Sequence, residues 1–430
     1  MKLKQLMRCL GGNVSHRHLS TNLPFNLQRR HLLKQASITA GMAVSTPLLL
    51  SACGSIVLPE KIERLFRTRN SAMAALGDLQ EPDENGVRLP KGFTSRVIAR
   101  SNEKPVAGAD YIWHWAPDGG ATFATSGGGW IYVSNSEMSG GAGGVGALVF
   151  GVNGDLRDAY SILEGTSRNC AGGATPWGTW LSCEEVSDGH VWECDPLGLR
   201  KARRLDALGT FAHEAVAFDP LNNQLYLTED EPDGRFYRFT PHNIDTLQRP
   251  DLTKGLLEVA QVLEGETNSV VWHPITDPSA VKEATRYQVN YSTPFNGGEG
   301  IVYFDGIIYM ATKGDNRIWR YDTASKTFTV FYDAETHPDP ILTGVDFMVA
   351  TPTGEIFVAE DGGDLQIVAV SPLLDLTPVL QVDGQPNSEI TGTAFNPRGD
   401  KMYFSSQRGK SGTSAGGITY EISGSFFAES

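Results

Sequence analysis

The sequence is poor in the residues that define several large classes of protein. Five cysteines in 430 residues are too few for a disulfide-dense scaffold. Bases are outnumbered, 36 Lys and Arg against 50 Asp and Glu, which removes the basic face that nucleic-acid binding requires. Beyond the N-terminal segment no run is apolar enough for a transmembrane helix. The phosphate-loop pattern Gly-x-x-x-x-Gly-Lys-Ser/Thr is absent. Glycine and proline, by contrast, are plentiful at 47 and 23 residues. They have no short period, so collagen is excluded and a turn-rich β protein is favoured. A hydrophobic content of 40% is enough to bury a core and excludes general disorder.

The charge is unevenly spread. Residues 1–53 hold Lys2, Lys4, Arg8, Arg17, Arg29, Arg30 and Lys34 and no acid. Arg29-Arg30-His31-Leu32-Leu33-Lys34 precedes a weakly apolar run ending at Leu50, too short for a permanent membrane span. A basic region, a short apolar region and small residues make an export signal. The paired arginines resemble a twin-arginine signal, a route that carries proteins already folded. The segment ends Leu50-Ser51-Ala52-Cys53-Gly54 and resembles a bacterial lipobox, with Cys53 as the lipidated first residue anchoring the protein to a membrane of the cell envelope. The alternatives are a chance arginine pair in a general secretory signal, and, for the lipobox, ordinary signal cleavage nearby. Residues 54–90 are expected to be a polar tether and 91–430 the folded domain.

Short β-rich runs recur through that domain, each ending in polar or acidic residues. They are Trp130 to Glu137, Thr179 to Glu185, Gln224 to Asp230, Ile307 to Asp315, Glu355 to Asp361 and Lys401 to Gln407. Their spacing is about 46 residues, with one interval nearly doubled by an insertion at 241–295, and a fixed period of that size with several short strands per unit predicts a β-propeller. Alternation such as Arg317-Ile318-Trp319-Arg320-Tyr321 fits strands with one wet face. Six markers predict an all-β, six-bladed propeller; the doubled interval leaves room for a seventh blade, and a pair of β-sandwiches is a weaker alternative.

A second set of motifs precedes four of these runs: His213-Glu214, Gly298-Glu299-Gly300, Gly344-Val345-Asp346 and Glu389-Ile390-Thr391-Gly392. Antiparallel partners put the start of one strand beside the end of the next, so a propeller would gather both sets at one mouth of its channel. Two like charges about 4 Å apart repel by roughly 4 kcal/mol at an effective dielectric of 20. Such crowding requires protonation or bound cations. Oxygen ligands in irregular loops suit Ca²⁺, and mixed sites also take manganese or iron. For a single acid, a solvated rim is the simpler explanation; for the group, metal is.

The most distinctive stretch runs from Arg168-Asn169-Cys170-Ala171-Gly172-Gly173 through Thr175-Pro176-Trp177-Gly178-Thr179-Trp180 to Cys183-Glu184-Glu185. Cys170 and Cys183 face each other across an expected hairpin. A disulfide and a thiolate among carboxylates are both open there, and the thiolate would favour a softer transition metal.

This stretch resembles the signature of the PhoX family of secreted alkaline phosphatases. Asn135-Ser136-Glu137, His213-Glu214, Glu229-Asp230, Glu299, and Glu389-Ile390-Thr391-Gly392 with Gln407 continue the likeness in the same order. The resemblance implies a six-bladed propeller that hydrolyses phosphate monoesters with iron and calcium, here Fe³⁺ and Ca²⁺. Cys170, Glu214 and Glu299 would belong to the iron site. Glu137, with Asn135 beside it, Glu184, Glu185, Glu229, Asp230, Asp361 and Glu389 would be calcium or bridging ligands. His213 would shuttle a proton or orient Glu214. The chain departs from the pattern at Gly297-Gly298-Glu299, where the family has Arg-Pro-Glu, at Ser136 in place of His, and at Gln407-Arg408-Gly409 in place of Gln-His-Pro. The missing arginine would grip phosphate in a bidentate fashion; Lys313, Arg317 and Arg408 are the candidate replacements for its charge. A small-molecule phosphate ester is the expected partner, and a monomer the expected state. A Ca²⁺-dependent propeller lactonase and a non-enzymatic, metal-braced envelope module are the rival readings.

Overall fold

The computed structural model describes residues 76–265 and 268–427. The expected signal segment, with Arg29, Arg30 and Cys53, lies outside the described residues, as does the tether up to residue 75. The chain divides into two units, 1–59 and 60–430, and all described residues belong to the second.

Alternating apolar residues and frequent turn glycines give strands almost everywhere, and these form five antiparallel sheets in a propeller-like arrangement. One holds Pro117–Ala124, Trp130–Ser136, Gly143–Phe150 and Leu156–Thr166 in sequence order. The next holds Asn169–Ala174, Trp180–Glu184, Val191–Cys194 and Arg203–Arg204. A nine-stranded sheet starts at His213–Asp219 and ends at Gly298–Phe304, and its two halves meet through the single pair Ser269 and Thr327. The insertion at 241–295 adds the strands Gly255–Leu263 and Ser269–Pro274 to this sheet rather than building one of its own. A fourth sheet contains Val345–Ala350 to Leu376–Val382 and takes Val87–Arg88 as its outer strand. In the last, Thr94–Arg100 pairs with Ile418–Ser423, so the two ends of the body close one sheet. Leu76, Val87 and Leu89 are buried in the core; the end of the 54–90 stretch therefore packs against the body. Among the described residues no helix is long and apolar enough to cross a membrane.

Each repeat opens with a strand that lies against the opening strand of the next. The sequence is Pro117–Ala124, Asn169–Ala174, His213–Asp219, Gly298–Phe304, Val345–Ala350 and Ile390–Phe395, and the last returns to the first. This inner ring is tight. A Cβ on Gly300 would stand 2.5 Å from the carbonyl oxygen of Asp346, and one on Gly119 the same distance from Ala171 Cα. Between sheets the gaps are filled by aromatics. Trp130 stacks on Phe150, and its Nε1 donates to the Tyr403 hydroxyl at 2.9 Å, locking the first sheet to the last.

Gly300→Ala is expected to push two inner strands apart. Overpacking of a rigid backbone contact costs about 1–3 kcal/mol, so the melting temperature should fall by several degrees, read by differential scanning calorimetry. An unchanged melting temperature would mean that the ring is looser than this geometry.

Candidate metal centre

The inner ring places its chemistry through one repeated device. The second residue of each opening strand is Asp118, Cys170, Glu214, Glu299, Asp346 and Thr391 in turn. Directly after each, the ladder with the neighbouring strand shifts register. A β-bulge bends its strand and re-aims a side chain, and here it recurs in every repeat. The residue following each second strand supplies a matching set: Glu137, Glu185, Asp230, Lys313, Asp361 and Gln407. Glu389 precedes the Thr391 strand and is bridged to Asp361.

These side chains converge. Among the described residues four groups have ligand atoms within 4.8 Å of one another: Cys170–Glu185–Glu214, Glu214–Glu299–Asp346, Asp346–Asp361–Glu389 and Asp118–Glu137–Glu389. Shared members link them into one patch. Glu214 and Glu299 are each 1% exposed, and neither carboxylate oxygen of Glu214 has a hydrogen-bond partner among the described residues. A fully buried carboxylate without a donor is expensive, and the donor set around it fits a cation. Among the described residues three bases border the patch. Arg168, held at a left-handed φ of 48°, donates from Nε to Glu137 Oε1 at 3.0 Å and from Nη2 to Glu185 Oε2 at 2.6 Å. Lys313 Nζ lies 2.8 Å from Glu299 Oε1 and 3.2 Å from Asp361 Oδ2. Arg408 Nη2 donates to Glu389 Oε1 at 2.9 Å.

Proton affinities follow from this crowding. Burial and Glu137 push the Glu185 carboxyl up to about 9. Burial also raises Asp346, to about 6, with Lys313 opposing. Asp118, Glu214, Glu299 and Glu389 are driven well above the carboxylate range by burial and then by neighbouring acids. The Cys170 thiol moves up for the same reasons. At Lys313 burial opposes the charge, but Asp346, Glu299 and Asp361 outweigh it and hold the ammonium firmly protonated. Every one of these shifts states the same fact: the mouth favours positive charge.

Of the residues expected from sequence, Glu137, Cys170, Glu185, Glu214, Glu299, Asp361 and Glu389 are members of the four groups. Asp230 borders them, its charge raising Glu185, Glu214, Glu299 and Asp346. Asn135 stands apart: its Nδ2 donates to the carbonyls of Cys170 and Ala171 at 2.9 and 2.8 Å, and its Oδ1 accepts from Trp180 and Ser182. It braces the strand that carries Cys170. Glu184 accepts from the Ser167 and His190 N–H groups and from Trp192 Nε1. Glu229 accepts from Tyr237, Arg235 N–H and Arg286. Both acids order loops rather than joining a group. His213 points away from Glu214, packs on Phe211 with ring centroids 3.5 Å apart, and is pushed down to about 3 by burial, so it is neutral. Arg317 pairs with Asp333 and Asp315 on a strand.

Cys170, Cys183 and Cys194 are free thiols; Cys183 is turned into the core, so the hairpin holds no disulfide. Asp118 and Arg168 received no role from sequence, and Asp346 none beyond its motif. Asp118 occupies the same second-residue position as Glu214 and Glu299, which is the signal that finds it. Gly412-Thr413-Ser414-Ala415-Gly416 spells Gly-x-Ser-x-Gly, but Ser414–Gly416 is a short 3-10 turn rather than a strand-to-helix elbow. A cavity of about 530 Å³ beside Trp177, Arg203 and Arg249 contains none of the clustered acids, and those arginines are paired with Glu193 and Asp245.

The chain is thus an all-β, propeller-like protein whose inner ring gathers carboxylates and a thiol into one cation-suited mouth. It belongs to the alkaline phosphatase PhoX family, whose model matches residues 131–191 and 186–409. Its structure is similar to that of Pseudomonas fluorescens PhoX in complex with vanadate, a transition state analogue. The TM-score is 0.65 at 17% identity, over 81% of this chain and 98% of that one. A weaker likeness, TM-score 0.47 at 10% identity over 81% and 98% of the two chains, is to XC5397, a gluconolactonase from Xanthomonas campestris. No curated protein matches the chain.

Proposed function

We propose that the chain is a metal-dependent hydrolase of phosphate monoesters that acts at the mouth of a six-bladed propeller in the bacterial cell envelope. Family membership supports the reaction class. The observation that carries the metal is Glu214, whose two buried oxygens have no donor among the described residues. The blade count follows if the nine-stranded sheet is taken as two blades, since one residue pair joins its halves. The N-terminal sequence supports twin-arginine export and a lipid at Cys53, and the reading is of a monomer.

Cys170, Glu185 and Glu214 would hold Fe³⁺, the thiolate selecting a transition ion, whereas Glu299, expected in that set, is paired with Lys313; the all-oxygen group Asp118–Glu137–Glu389 suits Ca²⁺. Bound there, the ions supply Lewis acidity toward phosphoryl oxygens. The protein's own residues do the rest. Asn135 fixes the Cys170 strand. Arg168 and Arg408, both partly exposed beside the groups, are the guanidinium groups placed to receive a phosphate oxygen, because position 297 has no side chain. Neutral, buried His213 takes no proton at the mouth.

Full-length protein is expected to turn over p-nitrophenyl phosphate, to lose that activity on treatment with a strong chelator, and to regain it on reloading. Absence of turnover under every metal loading would favour the second reading, a metal-braced binding module. That reading has one specific support: Arg168, Lys313 and Arg408 are each already engaged by carboxylates.

A further inference from the structure

Lys313 follows directly on the strand Ile307–Thr312. Its N–H donates to the Gly297 carbonyl at 2.9 Å, which fixes the root of the side chain beside the opening strand Gly298–Phe304. From there Nζ reaches Glu299 Oε1 at 2.8 Å, Asp361 Oδ2 at 3.2 Å and Asp346 Oδ2 at 3.5 Å. Those three acids belong to two of the four cation-sized groups, Glu214–Glu299–Asp346 and Asp346–Asp361–Glu389. An ammonium with three carboxylates around it stands where a small cation would stand.

The other two groups are built differently. In Cys170–Glu185–Glu214 and Asp118–Glu137–Glu389 the bases are guanidinium groups, Arg168 and Arg408, attached to Glu137, Glu185 and Glu389. Among the described residues no ammonium bridges their members. Glu214, fully buried and without a donor on either oxygen among the described residues, is the independent sign that this part of the mouth suits an external ion. The mouth therefore has one corner with an ammonium at its centre and another whose guanidinium groups leave Glu214 unpaired.

We propose that Lys313 is a built-in counter-cation filling the Glu299–Asp346–Asp361 corner, so that the chain binds one exchangeable divalent ion fewer than its clustered acids could hold. A tethered ammonium is always present at high effective concentration, whereas an external ion must arrive from solution. The long, flexible lysine stem suits this role, since it lets a compact charge settle among three acids. The inference rests on the mouth being a cation site, but not on its reaction.

The test counts ions. Full-length protein is stripped with chelator, equilibrated with Ca²⁺ and analysed by mass spectrometry for metal per chain, without substrate. Lys313→Met is expected to hold one Ca²⁺ more than the unmodified chain, and Ca²⁺ should raise its melting temperature by a larger amount. Lys313→Arg, which keeps the charge, is expected to hold the unmodified number. Equal counts in Lys313→Met and the unmodified chain, or a gain in Lys313→Arg, would overturn the proposal. If Lys313→Met folds poorly without Ca²⁺, recovery at millimolar Ca²⁺ supports it and failure at every Ca²⁺ concentration overturns it. Because no turnover is read, a chain that lacks phosphatase activity can still pass.

Discussion

Glu214→Gln is expected to lower p-nitrophenyl phosphate turnover by about a thousandfold, roughly 4 kcal/mol of barrier, and to remove a metal ion from the loaded protein. The substitution keeps the shape of the side chain and removes only its charge. Glu214 is shared by Cys170–Glu185–Glu214 and Glu214–Glu299–Asp346, so its loss should disturb more than one ligand set. In the cation-free chain the same change should have the opposite sign for stability. Burial, then Glu299, Glu185 and Asp346, all work against a charge at this position, and a neutral amide avoids that conflict. The chelated Glu214→Gln protein should therefore melt no lower than the chelated unmodified chain. A purely structural glutamate predicts the reverse: lower stability and an unchanged metal content. Metal analysis and calorimetry on the same preparations separate the two.

Much of this arrangement was legible in the sequence because the chain repeats. The period of about 46 residues located each second strand and the acids at its end, so Glu137, the pairs Glu184-Glu185 and Glu229-Asp230, and Asp361 could be found by counting. The Cys170-to-Glu185 block marked one corner by its composition. What counting could not give is direction. Glu184 and Glu185 are adjacent and chemically alike, and successive strand residues face opposite ways; the first caps the loop carrying Ser167 and His190, and the second enters the mouth. The same alternation separates Glu229 from Asp230 and His213 from Glu214. Asp118 escaped because Pro117-Asp118-Gly119-Gly120 looks like a turn, and in the structure it opens a strand. Its register slip to Gly120 is the feature that turns the carboxylate inward. Such bulges have no composition of their own, and only the repetition of the device around the ring exposes it. The bases were hardest to place. Lys313 and Arg408 sit at the mouth, whereas Arg317, equally charged and four residues from Lys313 in sequence, is held on its strand by Asp333.

Stripping the cations should also invert the usual pH dependence of stability. A carboxyl whose pKa is lowered by folding stabilises the native state above its unfolded value. Here the shift is upward: Glu185 moves from 4.5 to about 9 and Asp346 from 3.8 to about 6. Below the unfolded values both states are protonated and these groups contribute their full stability. As pH rises, the unfolded chain ionises first while the native chain keeps its protons, so stability falls across the interval between the two values. The chelated protein should therefore lose melting temperature between about pH 5 and pH 9, by ~5–10 °C, with the steeper part below pH 6, where Asp346 and Glu185 act together. Cations reverse the logic at once. An ion among the carboxylates favours their charged forms and expels the retained protons. The loaded chain should thus show a flat profile over the same range, and loading at pH 7 should release protons, measurable by titration calorimetry in buffers of different ionisation enthalpy. A chelated profile that is flat or rising from pH 5 to pH 9 would show that the acids of the mouth are not held together as the inner ring requires.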